Sequence, residues 1–118
     1  MPGPCAYPRF ERITRKRDYL EVFEQGQKRV GRAFICYVVR REGQGRRFGL
    51  AVSRKVGSAV VRNRVKRYLK EIYRANRLRL ADDARIVIVA RPAAANLDYR
   101  QCVNAVQRLL DEGDVLRG

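Results

Sequence analysis

The sequence predicts an α+β fold, a two-layer α/β sandwich built on a small mixed β-sheet. Two apolar, β-prone runs at 33–39 and 48–52 precede a long amphipathic helical pattern at 59–78. A third β-prone run at 85–90 follows that helix, so two strands can pair in parallel across a βαβ-like crossover. Shorter helical patterns lie near both ends, and packing them on one sheet buries their apolar sides. The predicted order is helix, two or three strands, long helix, strand and helix, in a single domain of residues 1–118.

The first predicted helix covers residues 16–25. The stretch before it, 1–13, is rich in Pro, Gly and Arg, which indicates irregular structure. Apolar residues recur at helical spacing within the helix, and Gly26 is placed to end it. Tyr19 and Phe23 stand four residues apart and therefore lie on one side of the helix. Their rings are either core residues or part of an exposed aromatic surface, and both interpretations fit the spacing.

Two predicted strands precede the long helix. The charged segment between them, 40–47, contains two glycines and predicts a hairpin-type turn. Within the first strand Tyr37 shares one face with Ile35 and Val39, because successive side chains point to opposite sides of a sheet. One face of the sheet can meet the long helix, which leaves the other as a partly open apolar floor.

The long helix is predicted to begin after Ser58, a good N-cap residue, and to bury one apolar stripe. The stripe falls within a sector of about 100° around the helix axis. Its members are Val61, Val65, Tyr68, Leu69 and Ile72. Cationic and amide side chains occupy the opposite side and both flanks. Glu71 is the sole carboxylate between Lys55 and Leu80, so these cations have few acidic neighbours along the chain.

The run at 85–90 contains apolar residues without alternation, which is typical of a strand covered on both faces. After a linker at 93–96, Asp98 is placed to cap a final helix that extends to about residue 112, before Gly113. The side chains predicted to face inward from this helix are Cys102, Val103, Val106, Leu109 and Leu110.

The charge of the chain predicts a polyanionic partner. There are 27 Lys and Arg residues against 12 Asp and Glu residues, a formal net charge of +15 in 118 residues. Nucleic acid is favoured over a membrane surface, because no stretch stays apolar for ~18 residues. No apolar segment follows the first residues, so no signal peptide is expected.

Cysteine and histidine usage argues against a metal site and against catalysis by the protein itself. The three cysteines, Cys5, Cys36 and Cys102, are far apart and form no metal-binding pair. Cys36 and Cys102 lie in apolar patterns and are most simply buried thiols of a cytoplasmic protein. The chain has no histidine, so the usual general base is missing, and its few carboxylates are scattered. We therefore predict no catalytic residues and no metal ligands in the protein.

A cationic surface is predicted at the start of the long helix. Guanidinium groups bind phosphate at two points, an amide offers both a donor and an acceptor, and the N–H groups of a helix start favour phosphate. A solvated charged face is the simpler interpretation of any one basic helix, but the extreme net charge favours RNA binding here. The predicted RNA-binding residues are Arg54, Lys55, Arg62, Asn63, Arg64, Lys66, Arg67 and Lys70.

A second RNA-binding surface is predicted from aromatic residues. Single-stranded RNA is held by stacking its bases on Tyr or Phe rings beside a positive track. Tyr19 and Phe23 on the first helix, with Tyr37 on the first strand, could line such a groove.

The segment 48–67, FGLAVSRKVGSAVVRNRVKR, resembles the signature of the bacterial ribonuclease P protein subunit, whose hallmark is this Arg-Asn-Arg helix. The segment 18–26 is similar to the first helix of that family, and 86–92 to its later strand. The resemblance extends over roughly residues 13–110. It implies an α/β sandwich with a left-handed βαβ crossover, whereas general packing rules favour the right-handed form.

The resemblance also implies a function. The chain would bind a large catalytic RNA and the 5′ leader of precursor tRNA. The holoenzyme, an endonuclease, would hydrolyse the phosphodiester bond that frees the leader and gives the mature tRNA 5′ end. The RNA would carry the active site and most of the Mg²⁺, so the chain would be an enzyme subunit of a cytoplasmic ribonucleoprotein. Neither a membrane nor a small-molecule substrate is implied.

The resemblance also assigns roles to individual residues of this chain, by their positions in the matching segments. The eight basic and amide residues of the loop and long helix would contact the catalytic RNA. Tyr19, Phe23 and Tyr37 match the cleft that holds the single-stranded leader. Tyr19 stands where the family is expected to have phenylalanine, but its ring can still stack.

Three rival functions are compatible with parts of this pattern. A structural RNA-binding protein, such as a ribosomal protein, would have a similar composition but would not stimulate cleavage of precursor tRNA. A DNA-binding module is disfavoured, because strands separate the first helix from the basic helix. A protein-only nuclease is disfavoured by the missing histidine.

Overall fold

The structure is a computed structural model and describes residues 9–112. The α-helices are α1 (Lys16–Gln25), α2 (Ala59–Asn76) and α3 (Tyr99–Glu112). The strands are β1 (Gln27–Val30), β2 (Phe34–Arg40), β3 (Arg47–Ala51) and β4 (Ala84–Ala90). Short 3₁₀-helices cover Arg9–Glu11, Arg54–Val56, Arg77–Arg79 and Pro92–Asn96. The chain order of these helices and strands confirms the predicted α+β class.

The four strands form one mixed sheet in the order β1-β2-β4-β3. β2 pairs antiparallel with β1 and with β4, whereas β3 pairs parallel with β4. The parallel pair across α2 confirms the predicted βαβ crossover, and its left-handed sense stays a prediction from the resemblance. β4 is buried along nearly its whole length, as expected of a central strand without alternation.

The predicted hairpin between β2 and β3 is wrong. Residues 40–47 do form a turn, and Gly43 and Gly45 both have φ of 78°, a backbone conformation that favours glycine. However, β4 lies between β2 and β3 and pairs with both. β4 is apolar on both faces, and each of its two edges needs a hydrogen-bonding partner. A position in the centre of the sheet provides both partners and buries more apolar surface than a β2–β3 hairpin would.

The two faces of the sheet are covered by different helices. α2 and α3 pack on one face, where their apolar side chains meet Phe34, Cys36 and Ile88 in the main core. α1 packs on the other face, where Val22 joins a smaller cluster of buried residues. This second cluster consists of Ile13, Val22, Val39 and Val87, with Tyr19, Phe23, Tyr37 and Val89 partly buried around it.

Gly26 ends α1, as predicted, but not for the predicted reason. Its φ of −79° is an ordinary extended conformation, so it is not a left-handed helix terminus. A Cβ at this position would lie only 2.4 Å from the carbonyl oxygen of Val22 and 3.0 Å from that of Val38. Glycine is therefore required by the close approach of helix and strand.

The capping predictions for α2 and α3 are confirmed. Ser58 Oγ accepts a hydrogen bond from the N–H of Val61 at 3.4 Å. Asp98 Oδ1 accepts from the N–H of Gln101 at 2.8 Å, and Gln101 Oε1 accepts in return from the N–H of Asp98 at 2.9 Å. This reciprocal pair is a capping box, which satisfies N–H groups that the helix itself leaves free. α2 ends at Asn76, two residues before the predicted end.

The buried thiols agree with their prediction as free cysteines. Cys36 and Cys102 are both free and buried. Burial raises the pKa of Cys36 to about 12 and that of Cys102 to about 11, so both thiols stay protonated at neutral pH. Cys5 lies outside the described residues.

Residues 9–13, the described part of the stretch predicted to be irregular, pack against the rest of the fold. Residues before Arg9 lie outside the described residues, but Ile13 belongs to the second core cluster and its N–H donates to the carbonyl of Phe48 at 3.0 Å. Glu11 is 3% exposed and forms an ion pair with Arg77. Tyr73, which stacks on Phe48, donates its hydroxyl to the same carboxylate. This cluster ties the segment to the end of α2.

Glu11→Gln tests how much this cluster contributes to the free energy of unfolding. We expect the free energy of unfolding to fall by ~3 kcal/mol, because the Arg77 cation is left without its buried counter-charge. The matched control is Asp83→Asn, since the Arg40–Asp83 pair is largely exposed and should contribute ~1 kcal/mol or less. Chemical denaturation of both variants measures the difference, and equal losses would contradict a buried, structural role for Glu11.

Candidate nucleic-acid interface

The eight predicted RNA-binding residues form the basic surface, on the first half of α2 and the loop before it. Arg54, Lys55, Asn63 and Arg67 are exposed. Arg62, Arg64, Lys66 and Lys70 are partly buried, and the Nε atoms of Arg62 and Arg64 are buried without a hydrogen-bond partner in the described part of the chain. The exposure of Asn63 and Arg67 and the partial burial of Arg62 and Arg64 agree with the amphipathic pattern. Lys66 and Lys70, predicted on the side opposite the core, are partly buried instead.

The loop between β3 and α2 is held by local hydrogen bonds. Ser53 Oγ accepts from the N–H of Lys55 at 3.3 Å. Gly57 has φ of 154°, in the range that side-chain-bearing residues rarely adopt, and a Cβ there would lie 3.2 Å from Val61 Cβ. This glycine allows the chain to turn directly into α2, so that Arg54 and Lys55 stay beside the start of the helix.

The basic surface has no internal compensation for its charge. Within residues 9–112, none of the ion pairs involves any of its cations. The acidic side chains instead pair with arginines elsewhere, as in Arg46–Asp82 at 2.5 Å and Arg40–Asp83 at 2.6 Å. A positive potential therefore builds up at the start of α2, where the helix dipole adds to it.

Two arginines of the basic surface also make structural contacts. Arg64 donates from Nη2 to the carbonyl oxygen of Ala95 at 2.7 Å, which joins α2 to the 3₁₀-helix after β4. The guanidinium carbon of Arg67 lies 5.6 Å from the ring centroid of Tyr68, a cation–π contact. Arg64 thus has less freedom to reach a ligand than the sequence suggested, whereas Arg67 is held in an exposed position.

Tyr19, Phe23 and Tyr37 come together as the aromatic cleft, on the face of the sheet that α1 only partly covers. The ring centroids of Tyr19 and Phe23 are 6.3 Å apart, and those of Phe23 and Tyr37 are 4.9 Å apart in an edge-to-face arrangement. All three rings are partly buried and partly exposed. The rings are therefore both core residues and part of an exposed aromatic surface, because each ring borders the core and is also partly open to solvent.

The position of the Tyr19 ring is set from two sides. Its hydroxyl donates to the carbonyl oxygen of Leu50 at 3.3 Å. Burial raises the pKa of Tyr19, with the Leu50 hydrogen bond opposing the shift, so the hydroxyl stays protonated at neutral pH. A Cβ on Gly49 would lie 2.7 Å from Tyr19 Cε1, so only glycine lets the ring lie flat against β3.

Two cleft residues were missed by sequence reasoning. Lys28 on β1 lies opposite Tyr37 in the strand register, and its Nζ is 5.9 Å from the ring centroid. This supplies the positive charge that a base-stacking groove requires. Lys28 was missed because the polar β1 has no strand pattern. Gly49 could have been found, since the small face of β3 was visible in the alternation of the sequence.

The aromatic cleft and α2 lie on opposite faces of the sheet. Tyr37 on β2 points to the α1 side, whereas its neighbours Cys36 and Val38 point into the core beneath α2. The basic surface and the cleft are therefore separate surfaces connected through the end of β3 and the loop at 52–58. Two ligand segments could occupy them at once.

The carboxylates give no metal site among residues 9–112. No group of three or more acidic or cysteine side chains there is arranged to hold a metal ion. Asp18 and Glu21 lie nearest to the cleft and both pair with arginines, Arg47 and Arg41. Nor does any helix in this part of the chain have the length and apolarity to cross a membrane.

The chain is similar to proteins of one family. The family model described as ribonuclease P matches residues 7–113. The ribonuclease P protein component of Listeria monocytogenes serotype 4b is 35% identical over 107 residues, which cover 90% of each chain. That of Dictyoglomus thermophilum is 30% identical over 118 residues, which cover 98% of each chain.

Solved structures agree with this similarity. The Staphylococcus aureus RNase P protein superposes with a TM-score of 0.84 at 26% identity, covering 91% of this chain and 98% of that one. The Thermotoga maritima RNase P protein gives a TM-score of 0.77 at 27% identity, covering 86% and 96%. The mixed sheet with three helices is thus the fold of known ribonuclease P proteins. The chain belongs to the ribonuclease P protein family, and it is a protein subunit of that endoribonuclease.

Gly49→Ala should reshape the aromatic cleft without unfolding the protein. The new methyl group displaces the Tyr19 ring and breaks its hydrogen bond to Leu50, while the backbone of β3 is unstrained. We expect a loss of ~1 kcal/mol in the free energy of unfolding and altered NMR contacts between Tyr19 and Phe23. Gly31→Ala, at a turn away from the cleft, is the matched control and should leave these contacts unchanged. Unaltered ring contacts in Gly49→Ala would show that the glycine does not position Tyr19.

Proposed function

We propose that this chain binds the ribonuclease P RNA through its basic surface and the 5′ leader of precursor tRNA through its aromatic cleft. The observation that carries the proposal is the placement of these two surfaces on opposite faces of one sheet. The first presents cations without ion-pair partners, which suits a folded phosphate backbone. The second presents rings beside Lys28, which suits a single strand with unstacked bases.

The role of the protein is binding rather than bond cleavage. Arg54, Lys55 and Arg62 neutralise phosphates of the catalytic RNA, and Asn63 offers a donor and an acceptor for a folded backbone. The cleft holds the leader and so positions the scissile phosphate relative to the RNA active site. The Mg²⁺ that supports hydrolysis is proposed to be held mainly by the RNA, as the family resemblance implies.

The cellular setting is part of the same proposal. The substrate is precursor tRNA, and the complex works in the cytoplasm, where buried thiols such as Cys36 and Cys102 stay reduced. Bringing positive charge to two RNA molecules lowers their mutual repulsion, which reduces the Mg²⁺ concentration that the holoenzyme needs.

Reconstitution tests the proposal directly. The purified chain, added to ribonuclease P RNA at low Mg²⁺, should raise the rate of precursor tRNA cleavage by about tenfold or more, equivalent to ~1.4 kcal/mol at the transition state. The control is the same RNA with an equal concentration of a basic protein of unrelated fold. A rate no higher than that control would support a purely structural RNA-binding protein instead.

Arg62→Ala tests whether the basic surface contacts phosphates. Loss of one phosphate contact should reduce the slope of log affinity for ribonuclease P RNA against log salt by about 0.7–0.9. Arg74→Ala is the matched control, because Arg74 is exposed on the same helix beyond the basic surface. Its slope should equal that of the unmodified chain. Equal slopes for all three proteins would mean that Arg62 does not bind phosphate.

Tyr37→Ala tests the leader assignment. Removing the ring should weaken binding of precursor tRNA to the holoenzyme by about tenfold, since one stacked base contributes ~1–3 kcal/mol. Mature tRNA, which lacks a leader, should bind as before, and Tyr37→Phe should retain affinity for both. If Tyr37→Ala weakens both tRNAs equally, the ring serves the protein core and not the leader.

A further inference from the structure

A second contact between aromatic rings lies where α2 meets α3. The rings of Tyr68 and Tyr99 are 5.4 Å apart between centroids, at an interplanar angle of 64°. Four residues before Tyr68, Arg64 donates to Ala95, which is four residues before Tyr99. Two contacts one helical turn apart therefore attach the start of α3 to the flank of α2 that continues the basic surface.

Tyr99 is the exposed member of this pair. It is 37% exposed, whereas Tyr68 is partly buried and packs against the main core. An edge-to-face contact with Tyr68 restrains the orientation of the Tyr99 ring. The Arg67 guanidinium also lies 5.6 Å from the ring centroid of Tyr68. A restrained, part-exposed ring thus stands next to cations of the basic surface.

The charged residues around Tyr99 favour a nucleotide as its ligand. Arg67 and Arg100, the sequence neighbours of Tyr68 and Tyr99, are exposed and have no ion pair within the described residues. Burial, and then the charge of Glu71, raise the pKa of Tyr99, so its hydroxyl stays protonated at neutral pH. Glu71 brings one negative charge near the ring, against the two guanidinium groups of Arg67 and Arg100. A neutral ring with flanking guanidinium groups is the arrangement that grips a nucleotide by base and phosphate together.

We propose that Tyr99, backed by Tyr68 and flanked by Arg67, is a stacking site for one unpaired nucleotide of the ribonuclease P RNA. The nucleotide would belong to the catalytic RNA rather than to the leader. The Tyr68–Tyr99 pair adjoins α2, whereas the aromatic cleft lies on the other face of the sheet. The proposal rests on the proposed function of the basic surface. It extends the RNA contact from α2 onto the start of α3.

The chain has no tryptophan, so Tyr99→Trp introduces a single fluorescent reporter at the site. On binding ribonuclease P RNA, its fluorescence should be quenched and its accessibility to acrylamide should fall severalfold. Leu78→Trp is the matched control, since Leu78 is exposed in the short 3₁₀-helix that follows α2, ten residues after Tyr68. Its accessibility should not change.

Affinity measurements separate stacking from packing. Tyr99→Leu keeps apolar contact with Tyr68 but removes the ring, and should weaken binding of ribonuclease P RNA by about tenfold. Tyr99→Phe should bind within about twofold of the unmodified chain. Circular dichroism confirms that each variant is folded.

Distinct outcomes would overturn the inference. A Tyr99→Trp reporter that is equally accessible in the free protein and the RNA complex would refute stacking at this site while the basic surface still binds RNA. Protection that arises only on adding precursor tRNA would refute ribonuclease P RNA as the source. If the unmodified chain fails to bind ribonuclease P RNA at all, the proposed function itself fails and this inference falls with it.

Discussion

The structure depends on β4, a strand that is apolar on both faces and needs cover on each. Ile86 and Ile88 point to one face and Val87 to the other, and all three are at most 1% exposed. A strand of this kind is stable only in the centre of a sheet with helices on both sides. α2 and α3 cover one side, and α1 with Ile13 covers part of the other. On the α1 side, Tyr19, Phe23 and Tyr37 stay partly exposed around the buried cluster.

The distribution of charge follows from the same architecture. Carboxylates form ion pairs that hold helices and strands together, as Glu11 does with Arg77 near the end of α2. The first half of α2 needs no such pairs, because Val65 and Leu69 anchor it through the core and Ser58 caps its start. Its cations therefore remain available to a ligand. The stability of the fold and the binding potential of this surface thus depend largely on different residues, with Arg64 contributing to both through its hydrogen bond to Ala95.

The sequence predicted what depends on local periodicity and missed what depends on distant partners. The bounds of α1 and the caps Ser58 and Asp98 follow from residues within one or two turns, and they are confirmed. The polar β1 has no strand pattern and forms because the edge of β2 offers hydrogen bonds. In the candidate site, the motif identified the cations, whereas the pairing of Arg64 with Ala95 arises only when α2 packs beside the chain after β4.

We propose that the two faces of the sheet bind two different RNA molecules, ribonuclease P RNA on the α2 side and precursor tRNA on the α1 side. Photo-crosslinking in the assembled holoenzyme with precursor tRNA measures this directly, with a benzophenone side chain placed at Asn63 or at Tyr37 in turn. We predict that the probe at Asn63 crosslinks to ribonuclease P RNA and that the probe at Tyr37 crosslinks to the 5′ leader. Crosslinks from both positions to the same RNA molecule would contradict the assignment of one surface to each.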